Sequence, residues 1–142
     1  MIIVDANLLL YASIRAFPQH ARAHRWFHEV LRAGDPVGIP WESIGAFLRL
    51  GTNARVLAEP LTGLQSWSLV QAWLSIDSVW IPVPTGEHAV VMSRLLEDPA
   101  IVANLIPDAH LAALALEHGL TLMSCDSDFA RFADLRWENP LA

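Results

Sequence analysis

Four apolar stretches of this chain each run into an acid. Ile2-Ile3-Val4 leads to Asp5, Gly38-Ile39-Pro40-Trp41 to Glu42, Ile106-Pro107 to Asp108, and Leu122-Met123-Ser124-Cys125 to Asp126, with Asp128 two residues on. In an open parallel sheet, ligands gather outside the carboxyl ends of the strands. Carboxylates carried there by separate segments converge, and like charges repel unless a cation offsets them. Ligands that are all oxygen select Mg2+ or Mn2+ over zinc. The chemistry such a centre supports is metal-assisted phosphodiester hydrolysis. Asp5, Glu42, Asp108 and Asp126 are the expected catalytic ligands, with Asp128 as a peripheral ligand or a group that orients water.

Each acid also has a plain structural use. Asp is a common helix N-cap, but Asn7 is equally placed for that task and leaves Asp5 free. Asp108 and Glu42 lie in first turns of helices, where the macrodipole favours a negative charge. Asp126 and Asp128 fit a simple Asx-turn. The case for a site rests on their joint occurrence at the ends of successive elements.

Elements that deliver these residues can be read along the chain. Ile2 to Val4 reads as a buried strand, followed by a helix from Asn7 to about Ser13. A helix near His20 to Arg32 stops at Gly34-Asp35-Pro36, and Val37 to Pro40 forms a second strand. Helices follow from Trp41 to about Asn53 and near Leu64 to Ile76, then a strand Val79 to Ile81 and a helix Glu87 to Leu96. Pro107 suits the first turn of the next helix, Asp108 to His118, which is apolar nearly all round and therefore central. A strand Thr121 to Ser124, a helical turn Asp126 to Phe132 and a strand Leu135 to Trp137 complete the order. Strands alternating with helices predict an α/β fold, a short parallel central sheet with helices on both faces. No repeat or linker interrupts it, so residues 1–142 read as one domain.

Composition narrows the function. No lysine is present, which excludes a P-loop and lysine-dependent phosphotransfer. The hydrophobic fraction of 54% exceeds the usual range of about 45–50%. With six Trp residues, that surplus points to a face covered by a partner subunit. Net charge is −6, yet local patches decide nucleic-acid contacts, and bound cations would neutralise part of the acid excess. One cysteine, Cys125, cannot form an internal disulfide, so a reducing cytoplasm is expected. No apolar run approaches the length of a membrane span.

Two rival centres are weaker. His20, His24 and His28 share one helix face as zinc-binding pairs do, but no Cys stands nearby and the first pair does not enclose a Glu. A solvated or RNA-facing surface suits them better. Cys125 stands beside an acid, which raises a thiol pKa and dulls it as a nucleophile.

The block Ile2-Ile3-Val4-Asp5-Ala6-Asn7-Leu8-Leu9-Leu10-Tyr11-Ala12 resembles the opening of PIN-domain ribonucleases, in particular the VapC toxins of toxin–antitoxin pairs. Pro107-Asp108-Ala109-His110-Leu111-Ala112-Ala113-Leu114-Ala115 resembles the third acidic block of that family, and Ser124-Cys125-Asp126-Ser127-Asp128-Phe129 its fourth. Leu135-Arg136-Trp137-Glu138-Asn139-Pro140 is similar to its ending. Ala6 replaces the hydroxyl residue often seen after the first Asp, and Ser124 stands where Thr is usual. The resemblance implies a PIN-like fold and an Mg2+- or Mn2+-dependent endoribonuclease acting on structured RNA such as tRNA or ribosomal RNA. It further implies a homodimer neutralised by a VapB-type antitoxin. Asn7 and Ser124 would then steady the ligands, and Arg15, Arg22 and Arg25, near the first two helices, would contact phosphates. A non-catalytic binding module and a structure-specific DNA nuclease remain the competing classes at this point.

Overall fold

The computed structural model describes all 142 residues. Five strands form one parallel sheet: β1 (Ile2–Val4), β2 (Val37–Gly38), β3 (Val79–Trp80), β4 (Thr121–Met123) and β5 (Trp137–Glu138). Their spatial order is β3-β2-β1-β4-β5. The chain winds outward from β1 to β3, then crosses back and winds the other way through β4 and β5. The order therefore reverses between β1 and β4, the place where open α/β sheets bind ligands.

Side-chain alternation along the short strands divides the core in two. Val4 and Met123 face a cluster built by the helices α1 (Ala6–Ser13), α2 (His20–Ala33), α3 (Trp41–Gly51) and α4 (Gly63–Leu74). Ile3 and Leu122 face the other layer, made by α5 (His88–Leu95), α6 (Leu105–His118) and the 3-10 turn Ser127–Arg131. The expected architecture is thus present, with helices on both faces of a parallel sheet. Central α6 buries Ala109 and the run Leu111 to Ala115, as its uniform apolarity requires. Gly34 and Gly119 end α2 and α6 at φ 81° and 66°, a conformation costly for other residues.

Boundaries depart from expectation at several ends. The strands are shorter, and β5 lies at Trp137–Glu138, because pairing with Leu122 and Met123 sets its extent. α6 begins at Leu105, three residues before Asp108, so Pro107 still falls in its first turn. The cap of α1 is Asp5 and not Asn7. Asp5 holds the extended conformation (φ −78°, ψ 154°) and its Oδ1 accepts the Ala6 N–H at 2.7 Å, whereas Asn7 already lies inside the helix. Gly38 lets β2 pass the Pro82 ring, since a Cβ there would stand 2.7 Å from Pro82 Cγ.

Candidate metal centre

Parallel strands and helices running back between them bring the carboxyl ends of β1, β2 and β4 to the same edge as the N-terminus of α6. Asp5 follows β1, Glu42 opens α3 just after β2, and Asp126 follows β4. Asp5, Glu42 and Asp108 line one cleft of about 360 Å³, with Arg49, Asn104 and Asn7 among its other walls.

The tightest grouping is Asp108, Asp126 and Asp128, whose nearest carboxylate oxygens all lie within 4.8 Å of one another. Local backbone chemistry explains the pair from the β4 loop. Asp126 Oδ1 accepts the Asp128 N–H at 2.9 Å, an Asx-turn that starts the 3-10 turn and folds both side chains toward α6. Asp128, expected as a peripheral ligand or a group that orients water, stands within this grouping. Arg131, one turn on, approaches Asp128 at 3.8 Å. Asp108 accepts no side-chain hydrogen bond, so its position serves no cap. Ala103, just before α6, holds φ 51°, a strain of about 1 kcal/mol for a non-glycine residue.

Ser124 joins the two strand ends. Its buried hydroxyl donates to Asp5 Oδ2 at 2.7 Å and accepts from Asn7 Nδ2 at 3.1 Å and the Asp126 N–H at 3.0 Å. One donor and both lone pairs are thereby used. Asn7 Oδ1 also accepts the Cys125 N–H at 3.4 Å, so Asn7 clips the β4 loop to α1. Replacing Ser124 with Ala strands three buried or half-buried polar partners. Ser124→Ala should lower stability by about 1–3 kcal/mol in a urea melt and cut activity about 10–100-fold. A variant as stable and active as the parent would contradict this role.

Charge in the cleft is unbalanced. Burial raises the Asp108 pKa to about 6, with the charges of Asp126, Asp5 and Asp128 adding to the rise and Arg131 opposing it. Burial likewise raises Asp5, against hydrogen bonds from Ser124 and Ala6, and Asp126 pushes it further up. Such mutual repulsion, in a donor set of oxygens alone, fits a hard divalent cation. Residues Asp108, Asp126 and Asp128 would hold it, with Asp5 tied to the Asp126 backbone through the Ser124 hydroxyl.

Glu42 stands apart from this cluster. It lines the cleft, but its Oε1 lies 3.1 Å from His110 Nε2, and it is not among the charges that raise Asp108. Glu42, expected from the sequence as a ligand, thus stands on the wall of the same cleft as Asp5 and Asp108, with His110 beside it. Of the expected phosphate contacts, Arg22 donates to the Leu141 carbonyl at 2.6 Å and shares an outer groove with Arg25. Arg15 lines a separate groove with the three histidines. Arg49 is the arginine of the acid cleft itself. It lies seven residues after Glu42 on α3, a same-face spacing that could have revealed it.

The histidine groove is the larger one, about 460 Å³. His20 and His24 direct Nδ1 to the Tyr11 and Ala12 carbonyls at 2.8 and 3.1 Å, meeting carbonyls that the end of α1 leaves unpaired. No convergent carboxylates stand there. Burial raises the Cys125 thiol pKa, with Asp5 adding to it and Arg22 opposing, so Cys125 is a poor nucleophile. No helix is long and apolar enough to cross a membrane.

A family model described as PIN domain matches residues 2–135. Ribonuclease VapC33 of Mycobacterium tuberculosis is 41% identical over 141 residues, covering 99% of each chain. Ribonuclease VapC37 of the same organism is 42% identical over 142 residues, covering all of this chain and 99% of its own. Among solved structures, VapBC-1 from nontypeable Haemophilus influenzae gives a TM-score of 0.71 at 14% identity over the whole of both chains. Mycobacterium tuberculosis VapC20, a sarcin-ricin loop cleaving toxin, gives 0.67 at 18% identity over 94% of this chain and 95% of its own. At those identities the structural likeness concerns the fold.

Proposed function

The chain belongs to the VapC ribonucleases of the PIN-domain family, the toxins of toxin–antitoxin pairs, and from that premise we propose that it is an Mg2+- or Mn2+-dependent endoribonuclease cutting structured RNA, of the tRNA or ribosomal RNA class. The observation that carries the metal-dependent reading is the approach of Asp108, Asp126 and Asp128 within 4.8 Å at the point where the strand order reverses.

A divalent ion held there supplies Lewis acidity toward a phosphodiester and toward water. The protein's own groups do the rest. Asp108, Asp126 and Asp128 fix the cation, and Asp5, locked by Ser124 and the Ala6 N–H, completes the charge beside it. Glu42, on the cleft wall, orients the attacking water. Arg49 and Arg131 neutralise the phosphate at the scissile bond, while Arg15, Arg22 and Arg25 meet more distant segments of the RNA. The α6 N-terminus directs its positive dipole end into the same cleft.

An acidic cleft of this kind is blocked most directly by a basic side chain, since Arg offsets carboxylates and binds them bidentately. A VapB-type antitoxin presenting an Arg fits that requirement. VapBC and FitAB complexes among the structural neighbours are consistent with such a partner. The hydrophobic surplus, with Trp41 and Leu64 exposed, favours a homodimer or a partner-covered face. Activity in the cytoplasm follows from an RNA target and a single unpaired cysteine.

Brief induction should arrest growth, and sequencing RNA 5′ ends should reveal a few discrete new termini in tRNA or ribosomal RNA. Co-expression of a small neighbouring antitoxin gene should relieve the arrest. Growth and RNA ends unchanged by induction would overturn the reading.

A further inference from the structure

The acid cleft holds one uncharged polar group that the fold leaves unused. Among its lining side chains, Asn7, Ser43 and Asn104 are polar and uncharged. Asn7 is bound to the Ser124 hydroxyl and the Cys125 N–H, and the Ser43 hydroxyl donates to the Val4 carbonyl at 2.7 Å. The exposed Asn104 amide makes no hydrogen bond with the protein.

Asn104 occupies the N-cap position of α6, where an Asn side chain ordinarily accepts from the N–H of the second or third helical residue. Neither donor is available here. The Ile106 N–H already meets the Ala103 carbonyl at 3.1 Å, and the third residue is Pro107, which has no N–H. The Leu105 N–H is taken by the Val102 carbonyl at 3.0 Å. This tight turn passes through Ala103 at φ 51°, and Asn104 itself is helical (φ −66°, ψ −15°) where a capping residue is extended. The backbone thus removes the usual task of the amide and leaves it on the cleft wall. Asn104 stands one turn before Asp108, at the i,i+4 spacing of neighbours on one helix face.

The chemistry of the free amide limits what it can take. The cleft carboxylates only accept and Arg49 only donates, whereas an amide does both. A phosphate oxygen only accepts, and Arg49 suits it. A ribose 2′-hydroxyl both donates and accepts, and it is the group that separates RNA from DNA. We infer that Asn104 is a specificity-determining residue that hydrogen-bonds the 2′-hydroxyl of a nucleotide flanking the scissile phosphate, and so selects RNA over DNA in this cleft. The inference rests on the ribonuclease reading above and goes beyond it by naming the group that is read.

The test pairs Asn104→Ala with single 2′-deoxy substitutions on either side of the cut, in an RNA that the parent protein cleaves with Mn2+. The parent should lose about 3–10-fold in kcat/KM at one flanking position, the scale of one neutral hydrogen bond. Asn104→Ala should show that same loss on the all-ribose RNA. Placing the deoxy nucleotide at that position should then cost the variant nothing further, within about twofold. Its melting temperature should match the parent's, because the amide holds no other group of the protein. A parent indifferent to both deoxy positions, parent-like cleavage by Asn104→Ala, losses that multiply, or a clearly lower melting temperature would overturn the inference. A second arm needs no cleavage. In Ca2+, the side-chain amide 15N–1H signals of Asn104, identified by their loss in Asn104→Ala, should shift with a short RNA hairpin and stay in place with the DNA hairpin of the same sequence. Equal shifts, or none with RNA, overturn the inference. A shift with RNA alone, in a parent that cleaves no RNA, supports the 2′-hydroxyl contact and places the fault in the ribonuclease reading.

Discussion

Asp108→Asn should abolish RNA cleavage while making the metal-free protein more stable at neutral pH. The carboxylate accepts no hydrogen bond, so the amide removes charge without removing a structural partner. Loss of one cluster member should reduce cleavage about a thousandfold or more, roughly 4 kcal/mol of transition-state stabilisation. Stability moves the other way because the Asp108 pKa in the fold, about 6, stands above its ordinary value of 3.8. A raised carboxyl pKa means that the fold favours the protonated form. Its contribution is fully present below about pH 4 and is lost as pH rises through about 6. The two-unit shift would correspond to nearly 3 kcal/mol, but the site opens to solvent, and screening reduces this to about 1 kcal/mol. Melts in chelator should therefore show Asp108→Asn more stable than the parent at pH 7.5, with the gap closing by pH 4.5. A large loss of stability at both pH values would mean that Asp108 is a structural group.

Removal of divalent ions is the second large effect. Protein treated with chelator should lose about a thousandfold in cleavage rate, several kcal/mol of charge stabilisation at the phosphate. Mg2+ or Mn2+ should restore it, and Zn2+ should not, because the cluster offers oxygens alone. Binding must displace the proton that Asp108 carries below about pH 6, so Mn2+ affinity should fall as pH drops from 7 to 5. Calorimetry in buffers of different ionisation heat would detect the released proton. Full cleavage in chelator, or affinity flat across that range, would contradict this.

The fold was legible because its signals are local. Ile2-Ile3-Val4 and Thr121-Leu122-Met123 are short apolar runs bounded by acids or a helix-ending glycine, and α6 is apolar almost throughout. Strand ends were less legible, since pairing partners decide where a two-residue strand such as β5 stops. The acids could be found from their place at element ends, but not their relations. Asp5 both caps α1 and faces Asp126, because the cap is chosen by the extended conformation at the end of β1. Asp128 enters the cluster through an Asx-turn whose direction only the 3-10 turn fixes. His110, two residues from Asp108 on a helix, lies on a different side by spacing, and only the packing of α6 near α3 and α5 brings it to Glu42 and His88.

Crystals soaked in Mn2+ and measured near the manganese absorption edge give the most direct test of the account. The anomalous difference map should place a peak within coordination distance of Asp108, Asp126 and Asp128, and the same soak of Asp126→Asn should lose it. A peak at the His20–His24–His28 groove with none at the carboxylates, or a full peak retained in Asp126→Asn, would contradict it.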